Sequence, residues 1–415
     1  AQDSDNAEIY NLLGVLKLQQ KDVISAVNFV EKAVEKQPNA YFYETLFQTY
    51  IRAKLYKEIV KRAQEVLKKF PNDFSLMFNL ALAYKNLKRN KEAINFYERA
   101  LKIDPSSYDA WFNLSHLYSV EAQTNNALSA LKICQKIRPN DADTEYFLSL
   151  ALMRVKDYDK GLKLFENRVC KDTAIALQNK SYPNKARLDN LWKGENIKDK
   201  TLLVYYEAGF GDVIMFARYL PLVAQKCKKL ILMCQKPLSK LFRENDLGID
   251  QIIDTYVPEK DLEFDVHAPL LSLPYLLKLK GDKVFAYSSG YLKPNMQMVE
   301  EYKQKYFMND KIKVGIKWQG NTYYDFDRVI PAEEFIPLMQ VENTQYYSFQ
   351  TFEGSEDSKV LKGIIDVGKD LIDFSQTAAA IANLDLVICN DTSLAHLAGA
   401  MGIPCWVLLP YEVNW

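Results

Sequence analysis

One stretch near the end of the chain indicates the fold of its second half: Leu386-Val-Ile-Cys-Asn-Asp-Thr-Ser-Leu-Ala-His-Leu-Ala-Gly-Ala-Met-Gly-Ile-Pro-Cys-Trp-Val-Leu-Leu-Pro410. An apolar run of strand length opens it, and two polar residues interrupt that run. Apolar residues then recur at helical spacing: Leu394, Leu397, Ala398 and Met401. Gly402 ends the helix, and a second apolar run follows. The pattern predicts strand, tight turn, helix and strand, which is the repeating unit of a parallel α/β sheet.

The turn between strand and helix is a candidate phosphate site. We expect Asp391 to cap the helix, which leaves the amides of Thr392 and Ser393 pointing out at the carboxyl edge of a strand. Unpaired N–H groups and the positive end of the helix dipole attract phosphate at such a point. The alternative interpretation is an ordinary capped helix of an α/β domain.

The segment Asp-Thr-Ser-Leu-Ala-His-Leu-Ala-Gly-Ala resembles the donor-binding motif of heptosyltransferase-like glycosyltransferases, family 9 of the GT-B fold. In that family the motif holds the diphosphate and ribose of a nucleotide sugar. The resemblance implies donor-binding roles for Asp391, Thr392, Ser393 and His396. A single histidine beside an apolar helix face also fits a structural role.

A second glycine-rich turn, Glu207-Ala-Gly-Phe-Gly-Asp212, follows the predicted strand 201–206 and opens a predicted helix 213–226. Gly209 and Gly211 allow a sharp turn close to a ligand. The continuation Gly-Asp-Val-Ile-Met-Phe-Ala-Arg-Tyr-Leu-Pro resembles the first loop and helix of the same family. That resemblance makes Asp212 the candidate general base and Glu207 the backup. Alternatively, Asp212 caps its helix, and it could do both.

Further strands are predicted at 230–234, 251–256, 264–267, 312–318 and 346–350, which is the alternation of doubly wound sheets. Relatives place a basic residue of the second domain against the donor phosphates. Arg328 is the best match and Lys317 the second, although either could be a surface charge. The end of the strand at Gln350 would lie near the nucleoside.

The first 170 residues are a repeat. Pro38, Pro71, Pro105 and Pro139 are 33, 34 and 34 residues apart, and each closes a pair of helical patterns. Small residues recur where paired helices cross closely, at Ala26, Ala93 and Ala127 and again at Ala33 and Ala100. Four units resemble the tetratricopeptide repeat, and a fifth, from 142 to about 169, is expected to cap the solenoid.

Solenoids of this type commonly bind peptides on their concave side. Asn11, Asn79 and Asn113 fall on the first helices of their repeats and are candidates for hydrogen bonding to an acceptor peptide. The alternative is a solvated helix face without a ligand.

Composition restricts the classes of partner. The 53 basic residues balance 53 acidic ones, which gives no reason to expect a nucleic acid. We find no apolar run long enough to span a bilayer and no signal peptide, and we expect a cytoplasmic protein of bacterial type. The six cysteines have no metal-site spacing and are expected to be buried thiols and not disulfides or zinc ligands. No metal is predicted, and no cofactor is predicted beside the nucleotide sugar, which is the donor substrate. A start at Ala1 without Met suggests a mature or trimmed form, and we expect further C-terminal residues.

Together these features predict an all-α tetratricopeptide solenoid followed by an α/β GT-B fold, with two Rossmann-like domains facing a cleft. The expected bounds are 1–170 for the repeats, 171–199 for a linker, 200–300 for the acceptor side and 301–415 for the donor side. The predicted activity is inverting, metal-independent transfer of a sugar from a nucleotide sugar to a protein bound by the repeats. A lipid-linked saccharide as acceptor and an inactive scaffold are the alternatives, and an oligomer is possible.

Overall fold

A computed structural model describes residues 6–170, 190–254, 262–285, 290–320, 328–352 and 354–409. These residues form two compact units. The first contains the described residues up to Asp157, and the second contains those from Tyr158 onward. The second helix of the fifth repeat therefore belongs to the second unit.

The first unit is a series of consecutive helices of similar length. They are α1 (Ala7–Gln19), α2 (Val23–Lys36), α3 (Ala40–Arg52), α4 (Tyr56–Lys69), α5 (Phe74–Asn86), α6 (Asn90–Ile103), α7 (Tyr108–Val120), α8 (Thr124–Ile137) and α9 (Ala142–Arg154). This is the predicted all-helical solenoid of tetratricopeptide repeats.

The repeat is visible in the turns as well as in the helices. A residue with positive φ follows the first helix of each repeat, at Lys21, Lys54, Lys88, Ala122 and Lys156. A polar side chain caps the first helix of each repeat by accepting from a backbone N–H, at Asn6, Asn39, Asp73, Ser107 and Asp141. Every repeat therefore turns and restarts in the same way, which keeps the stacking regular.

The small residues lie where the helices cross, as the spacing predicted. The recurring alanines are fully buried: Ala26, Ala33, Ala93, Ala100 and Ala127. A Cβ added to Gly14 of α1 would stand 2.2 Å from a methyl group of Val30 in α2. Larger side chains would push paired helices apart.

The second unit begins with two short helices, α10 (Tyr158–Phe165) and α11 (Asn167–Cys170). A first sheet of four parallel strands follows, in the order β3-β2-β1-β4. The strands are β1 (Ile197–Tyr205), β2 (Cys227–Met233), β3 (Gln251–Ile253) and β4 (Val266–Pro269). The helices are α12 (Phe210–Phe216), α13 (Leu220–Ala224), α14 (Lys236–Arg243) and α15 (Leu273–Leu276).

Two boundaries in this part differ from the predicted ones. The helix expected over 213–226 starts at Phe210 and is interrupted by a 3₁₀ turn at Ala217–Tyr219. Pro221, which lacks an N–H, sits in the first turn of the next helix, where a backbone N–H would have no acceptor within the helix. Strand β1 begins at Ile197, inside the range expected to be linker. Residues 171–189 of that linker lie outside the described residues.

A second sheet of five parallel strands has the order β7-β6-β5-β8-β9. Its strands are β5 (Ile312–Lys317), β6 (Thr344–Ser348), β7 (Ile365–Asp366), β8 (Leu386–Asn390) and β9 (Cys405–Leu408). Its helices are α16 (Met296–Tyr306), α17 (Phe374–Ile381) and α18 (Ser393–Met401). The stretch that starts at Leu386 thus forms strand, turn, helix and strand as predicted, and Gly402 (φ 76°) ends α18.

In both sheets the strands are added first on one side of the first strand and then on the other, so the strand order reverses between β1 and β4 and between β5 and β8. In doubly wound sheets ligands bind outside the carboxyl ends of the strands at this reversal. The two motifs singled out in the sequence follow β1 and β8. The strand order therefore locates both motifs at the edges where a ligand is expected.

Candidate functional site

The turn after β8 differs in one respect from its prediction. Thr392, not Asp391, is the N-cap residue of α18, and its side chain makes no capping hydrogen bond to the helix. The Thr392 hydroxyl instead donates to the carbonyl of Asn390, 3.3 Å away. The helix starts one residue later than expected, and the carboxylate of Asp391 has other partners.

That carboxylate lies between a guanidinium and an imidazole. Its Oδ2 is 3.3 Å from Nη1 of Arg328, and its Oδ1 is 3.9 Å from Nε2 of His396. Arg328 Nη1 also donates to the Asp391 carbonyl at 3.4 Å, while Asn390 donates to the Arg328 carbonyl at 2.8 Å. Three of the predicted donor-binding residues therefore form one polar cluster.

The surroundings of the His396 imidazole favour its uncharged form. Burial lowers its pKa below the usual value, the carboxylate of Asp391 opposes that shift, and the charges of Arg218 and Arg328 add to it. A neutral imidazole can donate one hydrogen bond and accept another. The cluster can thus bind a polar group without adding a third positive charge.

Asp212 lies in the first turn of α12. Its Oδ2 accepts a hydrogen bond from the Gly209 N–H at 3.2 Å, so it does cap its own helix. Burial raises the pKa of Asp212 to about 6, and the negative charge of Asp391 adds to that effect while Arg328 opposes it. A carboxylate with this pKa is ionised at pH 7 and still takes up a proton readily, as general-base catalysis requires.

Helices α12 and α18 pack closely where these groups meet. A Cβ added to Gly211 would stand 2.5 Å from Cδ2 of His396, so only a glycine fits there without movement. A Cβ on Gly320 would approach the Thr392 methyl group to 3.0 Å. The structure therefore brings the glycine turn of the first sheet against the helix start of the second.

Glu207, the backup base, has a different environment. Its carboxylate is buried, and both oxygens accept from Arg168, at 2.5 Å from Nη2 and 3.1 Å from Nε. Because this pair occupies both oxygens, Glu207 is badly placed to accept a proton from a substrate. We retain Asp212 as the candidate base.

Two predicted donor-binding side chains, those of Gln350 and Lys317, form hydrogen bonds within the protein. The buried amide of Gln350 accepts from Gln319 N and donates to Gln319 O, both at 3.1 Å. The ammonium of Lys317 donates to the Phe349 carbonyl at 3.3 Å and to the Thr351 hydroxyl at 3.4 Å, and burial lowers its pKa to about 8. Both residues therefore shape the ends of β5 and β6, and Arg328 is the better placed cation.

The three asparagines proposed to bind a peptide were expected on the exposed side of their helices, and they are less accessible than that. Asn11 is 2% exposed and Asn79 is 6% exposed, so the expectation of exposed side chains is wrong for both. Asn113 is partly buried, accepts from Lys85 Nζ at 2.8 Å and donates to the Asp109 carbonyl at 2.8 Å. Packing against neighbouring helices, which helix position alone does not reveal, explains this difference.

Arg218, to which the sequence analysis gave no role, lies in the 3₁₀ turn that follows α12. Its Nε donates to the Met215 carbonyl at 2.8 Å, and its guanidinium lies 5.1 Å from the centre of the Tyr291 ring. Among the described residues, no carboxylate forms an ion pair with Arg218. Its place in the segment Gly-Asp-Val-Ile-Met-Phe-Ala-Arg-Tyr-Leu-Pro was the signal that could have identified it.

Two other features are lacking from the described part of the chain. No group of three or more His, Cys, Asp or Glu side chains there could hold a metal ion. None of the helices described is long and apolar enough to cross a membrane.

Comparison with known protein families gives matches in both units. Models of the tetratricopeptide repeat match residues 7–39, 75–107 and 96–131. The model of glycosyltransferase family 9 (heptosyltransferase) matches residues 370–408. That segment contains Asp391, Thr392, Ser393 and His396, and it does not extend to Asp212.

Individual proteins are similar over parts of the chain. Protein FlbA of Caulobacter vibrioides is 24% identical over 244 residues, which are 52% of this chain and 40% of FlbA. The chain thus spans less than half the length of this curated relative. The structure of YrrB, a TPR protein with an unusual peptide-binding site, is 21% identical, covers 43% of this chain and 94% of YrrB, and has a TM-score of 0.37. MamA from Desulfovibrio magneticus RS-1 is 17% identical, covers 42% and 100%, and has a TM-score of 0.38.

The family models agree with the two structural units. Helical repeats occupy the first unit, and the family 9 segment contains β8, α18 and β9 of the second. The chain is therefore a fusion of tetratricopeptide repeats with an α/β region that carries a glycosyltransferase family 9 segment.

Proposed function

We propose that this protein is a GT-B glycosyltransferase that moves a sugar from a nucleotide sugar to a hydroxyl group of an acceptor. The observation that carries this proposal is the cluster at the contact of α12 and α18. There, a carboxylate with a raised pKa, Asp212, lies beside the Arg328–Asp391–His396 group of the family 9 segment. One side of the cluster supplies a base, and the other supplies cations and helix amides.

The donor diphosphate would bind at the start of α18. Backbone amides there have no acceptor within the helix, and the helix dipole favours an anion. Arg328 lies on one side of this point, and Arg218 approaches His396 from the 3₁₀ turn after α12. Two guanidinium groups would neutralise the charge that develops on a departing nucleoside diphosphate. Thr392, Ser393 and His396 would supply the remaining polar contacts.

The reaction would be a single displacement at the anomeric carbon. The acceptor oxygen forms a bond to that carbon while Asp212 takes the hydroxyl proton. The bond from the anomeric carbon to the diphosphate oxygen breaks, and its electron pair leaves on the nucleoside diphosphate. Attack opposite the leaving group inverts the configuration. Proton transfer to a positioned base of this kind contributes about 10² to 10⁴ in rate.

The acceptor is proposed to be a protein segment bound by the repeats. A peptide-binding solenoid raises the local concentration of its ligand near a linked active site without any change in the chemistry. A saccharide acceptor would not need such a surface, and an inactive half would not need Asp212 with a raised pKa. Both alternatives are outcomes of the experiments below, and the cytoplasmic location stays a prediction.

A direct test begins with binding. Titration calorimetry against nucleoside diphosphates and nucleotide sugars should find a ligand that the wild type binds and that Arg328→Met binds at least about tenfold more weakly. Mass spectrometry should then detect an added sugar on proteins from the same source when that donor is supplied. If no nucleotide binds, or if bound nucleotide lies far from Thr392 and Ser393 in a soaked crystal, the proposal is wrong.

A further inference from the structure

Arg168, in α11, is a buried cation of the second unit that forms both ion pairs and several hydrogen bonds. It is 4% exposed. Its Nε and Nη2 bond Glu207, Nη1 bonds the Phe165 carbonyl (3.0 Å) and Glu166 (3.1 Å), and Nη2 also bonds the Ser272 hydroxyl (3.0 Å). An arginine has five N–H donors, so every donor is used. The guanidinium is therefore held in one orientation.

These bonds join three distant parts of the chain. Arg168 lies at the end of the fifth repeat, Glu207 follows β1, and Ser272 lies just after β4. The preceding helix α10 packs against α15, and the ring of Tyr158 meets that of Phe285 edge to face at 5.3 Å between centroids. The segment formed by α10 and α11 is thus attached to the carboxyl edge of the first sheet.

Glu207 begins the loop that ends at Asp212, and this loop is held at successive positions. Arg168 holds the Glu207 side chain, and Gln235 donates to the Ala208 carbonyl at 2.9 Å. The Gly209 N–H donates to Asp212, and Gly211 lies against α18. Releasing the first of these attachments would loosen the approach to Asp212.

The charges of this cluster indicate that it fixes the orientation of the side chains more than it stabilises the fold. One guanidinium faces two carboxylates, Glu207 and Glu166, and burial raises the pKa of Glu166. Removing such charges from water costs about as much as their attraction returns, so a buried pair is a weak source of stability. A bidentate arginine–carboxylate pair does fix direction and distance.

We propose that Arg168 is a positioning residue, which through Glu207 holds the Glu207–Asp212 loop in the geometry that presents Asp212 to the acceptor. The role in transfer rests on the proposed function, whereas the holding of the loop does not. It follows that α10 and α11 belong with the unit that carries Asp212, and that the loop depends on them.

The test compares full-length Arg168→Lys and Arg168→Met with a matched control, Arg243→Lys. Arg243 pairs with Asp254 at 2.9 Å in the same unit and is half exposed. Arg168→Lys keeps the charge and loses the bidentate geometry. If Arg168→Met fails to fold because Glu207 is left unpaired, the double variant Arg168→Met/Glu207→Met removes that unpaired charge.

Three measurements decide the proposal. The kcat for transfer should fall about 10- to 100-fold in the Arg168 variants with the donor KM nearly unchanged, because a displacement of about 1 Å is enough for such a loss. The acid limb of the pH profile should move to lower pH, since water entering a loosened loop reduces the effect of burial on Asp212. Amide hydrogen exchange should accelerate in the peptide covering 207–212 and stay unchanged in the peptide covering 391–401.

Unchanged exchange in the 207–212 peptide of both Arg168 variants would overturn the proposal. So would a loss of kcat that follows the unfolded fraction while the acid limb stays in place. If the wild type transfers no sugar, the proposed function fails separately, and the exchange measurement still decides whether Arg168 holds the loop. Arg243→Lys should change none of these quantities.

Discussion

Gly211 of α12 lies directly against His396 of α18, since a Cβ at Gly211 would stand 2.5 Å from Cδ2 and 3.1 Å from Nε2 of the imidazole. This contact joins the glycine turn of the first sheet to the family 9 segment of the second. It explains why a glycine is needed at a position where the backbone itself does not require one. The close approach of two helices, and not a left-handed conformation, sets this requirement.

Gly211→Ala should displace the imidazole and weaken nucleotide binding, with an expected loss of about tenfold or more in affinity. Isothermal titration calorimetry measures this directly. Gly399→Ala is the matched control, because it lies on the same helix as His396 and a Cβ there would meet no atom within 4 Å. The control should bind normally and gain up to about 1 kcal/mol of stability from its higher helix propensity. Equal affinities in the two variants would contradict the role of the contact.

Asp212→Asn should reduce the rate of transfer about 10² to 10⁴-fold while nucleotide affinity changes little, because the amide cannot accept the acceptor proton. The wild-type rate should fall as the pH drops through about 6, the value to which burial raises the pKa of Asp212. The remaining rate of the variant should lack this acid limb. A variant within a few-fold of wild type, with its fold intact, would show that another group is the base.

The same pKa predicts how stability depends on pH. The pKa of Asp212 is raised from 3.8 in a free side chain, so its protonated form is favoured in the folded state. Its contribution to stability is complete below pH 4 and is lost as the pH rises through about 6. Asp212→Asn should therefore unfold at a higher temperature than wild type at pH 8, with a gain of about 3 kcal/mol, and this gain should shrink at pH 4. Differential scanning calorimetry at both pH values tests the sign.

Arg328→Met should have two separable effects. Loss of a cation from the candidate diphosphate site should weaken nucleotide binding about 10- to 100-fold, and the salt dependence of binding should decrease with it. Because Arg328 lowers the pKa of Asp212 and the charge of Asp391 raises it, the acid limb of the rate profile should also move to higher pH. Arg243→Met serves as the control for loss of a surface ion pair, which typically contributes at most about 1 kcal/mol. If the acid limb stays at the same pH in the variant, Arg328 does not influence the pKa of the catalytic base, and this prediction is wrong.

Two deletions should separate the functions of the two units. Removing residues 1–140 retains α10, α11 and Arg168, so hydrolysis of the nucleotide sugar or transfer to a small acceptor should survive. Transfer to a protein acceptor should fall steeply, because the acceptor is no longer concentrated near the site. Removing residues 1–170 also deletes Arg168 and should abolish both activities. Unchanged protein glycosylation after the shorter deletion, or a lipid-linked saccharide as the acceptor, would make the solenoid an assembly surface.

Periodicity and local chemistry determine much of this fold from the sequence. The proline spacing predicted the helical repeats, because each pair of helices is a local unit whose packing face recurs every 33 or 34 residues. The alternation of apolar runs and turns predicted two parallel sheets, and it also located the glycine turn and the Asp391–His396 segment. These signals are local, since a strand, its turn and its helix are contiguous.

Burial and partners were decided by tertiary structure alone. Asn79 lies on the expected helix, yet its exposure depends on the helices packed beside it. Glu207 and Arg168 are 39 residues apart, and nothing in the spacing of either shows that they form a buried pair. The pKa of Asp212 likewise depends on its burial, and then on the approach of Asp391 from the other sheet. Charge interactions and desolvation act through space, so they are determined only when distant segments have packed together.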